Sequence, residues 1–252
     1  MLSVPSAAAV LSRQASPARW LIGPAATIMR DGRYARHDLL RVTPEGWRAT
    51  LTVTEGLERL SDEPRRLVEG WCERGWPLIV RRPCEGHETG IAVGLPLPPS
   101  HGKLRLGFTL APHHVAHQVP GVALADALAT APADLRPQLE AVIALSKRLS
   151  LTPTVFGALL WQHVTGLVYL RPGSDVDLLW PMSDPGPLPG LLDGLAALDA
   201  KGPARLDGEI ILPNGEGVNW RELRGQRERP DDRVLVKSLD GAELRCARNL
   251  FP

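Results

Sequence analysis

Asp175 and Asp177, in Gly173-Ser174-Asp175-Val176-Asp177-Leu178-Leu179, are the residues of this chain best suited to chemistry by type and spacing. In a strand, side chains at i and i+2 share a face, so the two carboxylates project together while Val176 and Leu178 enter the core. Carboxylates held side by side repel unless positive charge lies between them, and their hard oxygens suit Mg²⁺ or Mn²⁺. Such a pair can build a two-metal site, with cations ~3.5–4 Å apart on the attacking and leaving oxygens of a phosphoryl transfer. A bare Asp-x-Asp also occurs in solvated turns, so its neighbours must carry the rest.

The first neighbour is Asp207, in Ala204-Arg205-Leu206-Asp207-Gly208-Glu209-Ile210-Ile211-Leu212, which reads as another short strand. Paired beside Asp175 to Leu179, it would make Asp207 a third ligand and the group that takes the proton of an attacking hydroxyl. Cations for an anionic substrate are Arg81 and Arg82, with Lys103 and Arg105, and Lys237 at the end of Val234-Leu235-Val236. Arginine forks match phosphate oxygens. His113, His114 and His117 have a ligand-like spacing without an adjacent Cys or acid to complete a zinc site. His37 beside Asp38 reads as a hydrogen-bonded histidine or an acid–base pair. The tryptophans read mainly as core anchors, with Trp161 and Trp220 also able to stack an adenine.

These residues need elements to position them. Gly157 opens a helix with Phe156, Leu160 and Val164 inward, and Gly166 closes it. Leu167 to Leu170 is expected as a strand, Arg171-Pro172-Gly173-Ser174 as a turn and Asp175 to Trp180 as the returning strand. Upstream, Trp47 to Val53 alternates as a half-buried strand would. Ser61 caps a helix running towards Arg74, where Gly75 stops it. Pro77 to Arg82, Thr89 to Leu95 and Lys103 to Leu110 are expected strands. Leu139, Val142, Ile143 and Leu149 recur at helical spacing within 135–149.

The resulting expectation is an α+β fold: an extension over 1–33, a small α+β domain over 34–135 and a catalytic α/β domain with a mixed sheet over 136–252. Met1 to Arg30 contains no acid, and translation from Met29 would also account for it. The 252 residues are 44% hydrophobic and 23% charged, which is ordinary for a globular chain. A formal net charge of +1 gives no general reason to invoke nucleic acid or an anionic membrane. No apolar run approaches the ~20 residues of a membrane span. Three cysteines without a CxxC pair suit a reducing cytoplasm.

A Gly-opened helix, an Asp-hydrophobic-Asp strand and a third Asp on a neighbouring strand resemble the nucleotidyltransferase superfamily of the DNA polymerase beta type. More narrowly, Trp161-Gln162-x-x-Thr165-Gly166-x-x-Tyr169-Leu170, Ser174-Asp175-x-Asp177-Leu178-Leu179, Asp207-Gly208-Glu209 and Trp220-Arg221-Glu222-Leu223 resemble one smaller family, as do Arg36-His37-Asp38-Leu39-Leu40 and Val234-Leu235-Val236-Lys237. It is the phosphoribosyl-dephospho-CoA transferase, or holo-acyl-carrier-protein synthase, of malonate decarboxylase.

The resemblance implies a polymerase-beta-type catalytic domain. It also implies transfer from triphosphoribosyl-dephospho-CoA to a serine of the decarboxylase's acyl carrier protein, with release of pyrophosphate. Asp175, Asp177 and Asp207 would hold the metals, and Gly157, Ser174, Arg81, Arg82 and Lys237 would meet the donor. The superfamily usually has Gly-Ser at the helix opening; Gly157-Ala158 here leaves that contact to backbone N–H groups. Another hydroxyl acceptor, or a noncatalytic binding subunit, are the alternative readings.

Overall fold

The computed structural model describes residues 34–83, 90–226, 229 and 231–251. The proposed extension over 1–33 lies outside them. The first half contains β1 (Leu39–Val42), α1 (Pro44–Val53), α2 (Asp62–Glu69), β2 (Leu78–Val80), β3 (Ile91–Pro96), β4 (Arg105–Leu110) and β5 (Val115–Val119). Its strands form an antiparallel sheet in the order β4-β3-β2-β1-β5.

Two expectations fail in this half. Trp47 to Val53 belongs to α1, a helix and not a strand. The Thr43 hydroxyl accepts from the Gly46 N–H at 3.0 Å, and Pro44 and Glu45 fill the first turn. That N-cap commits the backbone to a helix, and Trp47 and Thr50, three apart, face the core. The second helix ends at Gly70, not Gly75. The anticipated strands at 77–82 and 103–110 appear as β2 and β4; the third appears as β3, while Thr89 lies outside the described residues.

The second half contains α3 (Leu124–Ala127), α4 (Arg136–Arg148), β6 (Thr154–Phe156), α5 (Gly157–Thr165), β7 (Val176–Pro181), α6 (Leu188–Lys201), β8 (Leu206–Ile211), β9 (Gly217–Asn219), α7 (Trp220–Gly225), β10 (Arg233–Lys237) and β11 (Ala242–Cys246). Its sheet order is β11-β10-β9-β8-β7-β6, with β7 and β8 parallel and the other pairs antiparallel. The molecule is therefore α+β, with a mixed second sheet.

Alternation gives that sheet two different faces. Val176, Leu178 and Trp180 of β7 and Leu206 and Ile210 of β8 are buried on one. There the Trp180 indole donates to Ser146 of α4 at 3.4 Å. The buried Gln138 amide of α4 donates to the Ala204 carbonyl at 2.9 Å and accepts from the Ala204 N–H at 3.1 Å, fixing the entry to β8. Asp177, Asp207 and Glu209 fall on the other face, where chemistry is possible.

The expected strand over Leu167 to Leu170 is absent. The Gln162 carbonyl oxygen accepts from the N–H groups of Tyr169 (3.1 Å) and Leu170 (3.0 Å), and its amide nitrogen donates to the Thr130 carbonyl at 2.6 Å. One side chain on α5 thus takes hydrogen bonds that a strand would have given a neighbour. The partner of β7 is β6 instead, immediately before α5. We predict that Gln162→Ala lowers unfolding free energy by about 1–3 kcal/mol, read from the urea midpoint, with far-UV circular dichroism unchanged. A wild-type midpoint would contradict the assigned role of Gln162.

Candidate active site

β7 begins at Val176, so Asp175 ends the turn before it and Asp177 lies within it. Parallel pairing puts Asp177 opposite Asp207, side by side on one face of the sheet. Burial first, then the charges of Asp207 and Asp175, push the Asp177 carboxyl up to about 6. The Ala158 N–H and the Arg105 guanidinium act the other way. Asp207 and Asp175 are near enough to oppose the ionisation of Asp177, which is the electrostatic setting a hard cation relieves.

Each aspartate has a separate partner. Asp175 faces Arg205 at 3.3 Å, on an exposed edge. Asp207 accepts from Asn219 Nδ2 at 2.9 Å and from the Gly208 N–H at 2.8 Å. Among the described residues no three acids, histidines or cysteines converge on one point as a finished metal cage. The residues nonetheless fit a divalent metal in kind: Asp175, Asp177 and Asp207 supply hard oxygens, and Asp207 and Asp175 bear on Asp177.

Gly157 explains how Asp177 is seated. Its φ is +62°, and a Cβ there would stand 2.0 Å from Asp177 Oδ2. Only glycine lets α5 start in this conformation with the carboxylate against its backbone. Backbone N–H groups at the opening of α5 are the expected phosphate contact; one of them, that of Ala158, is directed at Asp177. Gly208 answers a similar constraint, since its φ is +154° and a Cβ would meet the Leu178 carbonyl at 2.0 Å. The middle residue of Asp207-Gly208-Glu209 thereby lets β8 approach β7.

Glu209, two residues beyond Asp207, has the opposite environment. Its side chain is 6% exposed, and Arg36 grips it with Nη1–Oε2 at 3.1 Å and Nη2–Oε1 at 3.2 Å. Lys237 Nζ reaches Oε1 at 3.1 Å, and His37 Nε2 lies 3.5 Å from Oε2. Burial raises the Glu209 pKa, but hydrogen bonds from His37 and Arg36 and their charges outweigh it and hold the carboxyl well below the usual range. Arg36 and His37 come from the segment before β1, and Lys237 from β10, so this ion cluster joins the two sheets. His37 has φ +71° and its ring stands 4.6 Å from Phe156, the residue before Gly157.

The other nominated residues are placed as follows. Ser174 Oγ accepts from the Arg171 N–H at 2.9 Å, closing the turn before Asp175. Arg81 Nε donates to the Val93 carbonyl at 3.1 Å, and Arg82 Nη2 to the Gly241 carbonyl at 3.0 Å. Lys237, nominated for substrate, is held by Glu209. Arg105 bears on Asp177 from the first sheet, and Tyr169 Oη donates to the Pro96 carbonyl at 2.9 Å beside it. Trp161 and Trp220 are only 3% and 1% exposed, so adenine stacking on them is ruled out by burial. His113 and His114 stand together in a short 3-10 turn while His117 lies on β5, which breaks the helical spacing a zinc site needed.

Sequence reasoning missed the Glu209 cluster and Asn219. No local pattern links the members of the cluster, which are scattered along the chain, although Arg36, His37, Glu209 and Lys237 all lie in motifs that carry the family resemblance. Asn219 could have been found as the polar residue before Trp220-Arg221-Glu222-Leu223: its side chain caps α7, accepting from the Arg221 N–H at 2.9 Å.

The site is thus a carboxylate face suited to a hard cation, bordered by basic residues from a second sheet. Sequence comparison gives it a family. Residues 35–120 match the phosphoribosyl-dephospho-CoA transferase MdcG N-terminal domain, and residues 123–247 match the MdcG C-terminal domain. A phosphoribosyl-dephospho-CoA transferase of Bradyrhizobium diazoefficiens is 38% identical over 209 residues, covering 83% of this chain and 88% of that one. One of Xanthomonas campestris pv. campestris is 36% identical over 191 residues, covering 75% and 87%. One of Xanthomonas euvesicatoria pv. vesicatoria is 35% identical over 219 residues, covering 86% and 96%. No solved structure matches significantly. The chain belongs to the phosphoribosyl-dephospho-CoA transferase family.

Removing one member of a buried ion cluster leaves the others without compensation. Glu209→Ala is expected to lose about 3–5 kcal/mol of unfolding free energy, measured by denaturant titration. A loss below about 1 kcal/mol, the value typical of a surface pair, would contradict the assigned role of the cluster.

Proposed function

We propose that this protein transfers the phosphoribosyl-dephospho-CoA group from triphosphoribosyl-dephospho-CoA to a serine hydroxyl of the acyl carrier protein of malonate decarboxylase. It does so as a nucleotidyltransferase, in the cytoplasm. The observation that carries the reading is the register placing Asp177 against Asp207 beside Gly157, in a chain of this family. Membership supplies the group transferred; the carboxylate face supplies a place for the chemistry.

In this reaction the serine Oγ attacks the α-phosphorus of the donor. A new phosphorus–oxygen bond forms, the bond to pyrophosphate breaks, and Asp207 takes the hydroxyl proton. Phosphoryl transfer asks a protein mainly for positioning and charge neutralisation. Mg²⁺ or Mn²⁺ held by Asp175, Asp177 and Asp207 would neutralise charge on the phosphate oxygens. Asn219 holds Asp207 from one side, and Gly157 leaves room for Asp177 on the other. Arg105 brings positive charge to the same face, where the departing pyrophosphate needs it. Ser174 sets the turn that presents Asp175.

The expected result with apo carrier, donor and Mg²⁺ is a carrier heavier by one phosphoribosyl-dephospho-CoA group, read by mass spectrometry. Chelation of the metal and Asp177→Asn should each abolish the gain while the circular dichroism spectrum is kept. Absence of any gain with intact wild-type protein and verified substrates refutes the reading. Gly157→Ala should slow transfer by at least about 10²-fold through displacement of Asp177; a wild-type rate would show that the close approach is catalytically irrelevant.

A further inference from the structure

Asp177 is seated beside a strand that ends its sheet. β6 is last in the sheet order, with β7 as its neighbour. The register Phe156, Asp177, Asp207 runs across β6, β7 and β8, so these three side chains share one face. The outer edge of β6 is held near its start, where Thr154 bridges Ala123 and the Val155 N–H donates to the Val122 carbonyl at 2.8 Å. Phe156 lies beyond those bonds, half-buried, in the extended N-cap position of α5. Gly157 follows at once, and its backbone stands directly against Asp177 Oδ2.

His37, from the first half of the chain, meets the Phe156 ring. The ring centroids stand 4.6 Å apart with the planes inclined at 49°, inside the range over which aromatic pairs attract. Its backbone aims this imidazole. The φ of +71° is a conformation that costs free energy outside glycine and persists where surrounding contacts over-determine it. Those contacts are present: the His37 N–H donates to the Val80 carbonyl at 3.1 Å, the Val80 N–H to the Asp38 carbonyl at 2.8 Å, and the Ala35 N–H to Asp38 Oδ2 at 2.7 Å. Nε2 lies 3.1 Å from Arg36 Nη2 and 3.5 Å from Glu209 Oε2. One imidazole therefore touches the ion cluster at its edge and the residue that opens α5.

We propose that His37 is a positioning residue for the transfer reaction: fixed by β2 and Glu209, it holds Phe156 and, through it, the opening of α5 against which Asp177 is set. This rests on the function proposed above. His37 acts through Phe156 and needs no contact with the donor. Phe156, Gly157 and Ala158 are consecutive, so a shift of the Phe156 ring carries with it both the backbone that Asp177 touches and the Ala158 N–H directed at its carboxylate. A residue of the first sheet's half thereby completes the seat of an aspartate in the second.

The test begins with amide hydrogen exchange on the full chain, without substrates. His37→Asn keeps a residue type that tolerates positive φ but removes the ring; Phe156→Leu removes the other ring, and Phe156→Tyr keeps it. His37→Asn and Phe156→Leu should each speed exchange of the Ala158 amide about tenfold or more, and Phe156→Tyr should restore the wild-type rate. In transfer assays the first two should lower kcat about tenfold or more, with the donor KM within about twofold of wild type. Their combination should be no slower than the worse single variant, because both remove the same contact. Wild-type exchange at Ala158, an undiminished kcat, or additive losses overturns the proposal. If His37→Asn misfolds, the comparison of Phe156→Leu with Phe156→Tyr decides. A wild-type protein that transfers nothing refutes the reaction, whereas exchange at Ala158 tests the hold of His37 on α5 by itself.

Discussion

A buried carboxylate must be paired or it will not stay ionised, and that requirement at Glu209 shapes much of this molecule. Its partners come from far apart in the sequence: Arg36 and His37 precede the first strand, and Lys237 ends the tenth. Meeting Glu209 brings the two sheets together beside the aspartates. Tyr169 on Pro96 and Arg82 on Gly241 extend the same seam with neutral acceptors. The face bearing Asp177 thus lies beside the first sheet, from which Arg105 bears on it.

The sheet treats neighbouring acids in opposite ways. Asp177 sits among acids and is pushed towards protonation, while Glu209, a short way along the paired strand, is surrounded by cations and kept ionised. One environment is complete in itself; the other leaves negative charge for something positive to meet. On the proposed reading, that contrast separates an acid that holds structure together from acids that do chemistry. Both are carboxylates on the same face of the sheet, and their partners distinguish them.

Much of the second half was legible in the sequence because its signals are local. Gly157 and Gly166 bracket α5 as expected, and the periodic leucines of α4 mark a helix. Alternation around Asp177 gives a strand whose start is wrong by one residue. Failures arose where a side chain overrode a pattern. The Thr43 cap turns an alternating segment into α1, and Gln162 takes the backbone hydrogen bonds of Leu167–Leu170 that would have made a strand. At the site, the neighbourhood of Asp177 and Asp207 was anticipated from spacing and resemblance. The grip of Glu209 on Lys237 was not, because ion pairs between distant segments leave no periodic trace.

The Glu209 cluster also has a consequence in time. Arg36 and Glu209 are separated by 173 positions, so a ribosome adding about 5–20 residues per second makes the two ends of this pair roughly 10–35 s apart. During that interval Arg36 faces water, where an unpaired guanidinium is well solvated. Glu209 emerges after its partner is already waiting, although Lys237 has yet to appear. The order of synthesis thus spares the nascent chain a buried acid with no cation, and final docking of the halves must wait for the last strands to leave the exit tunnel.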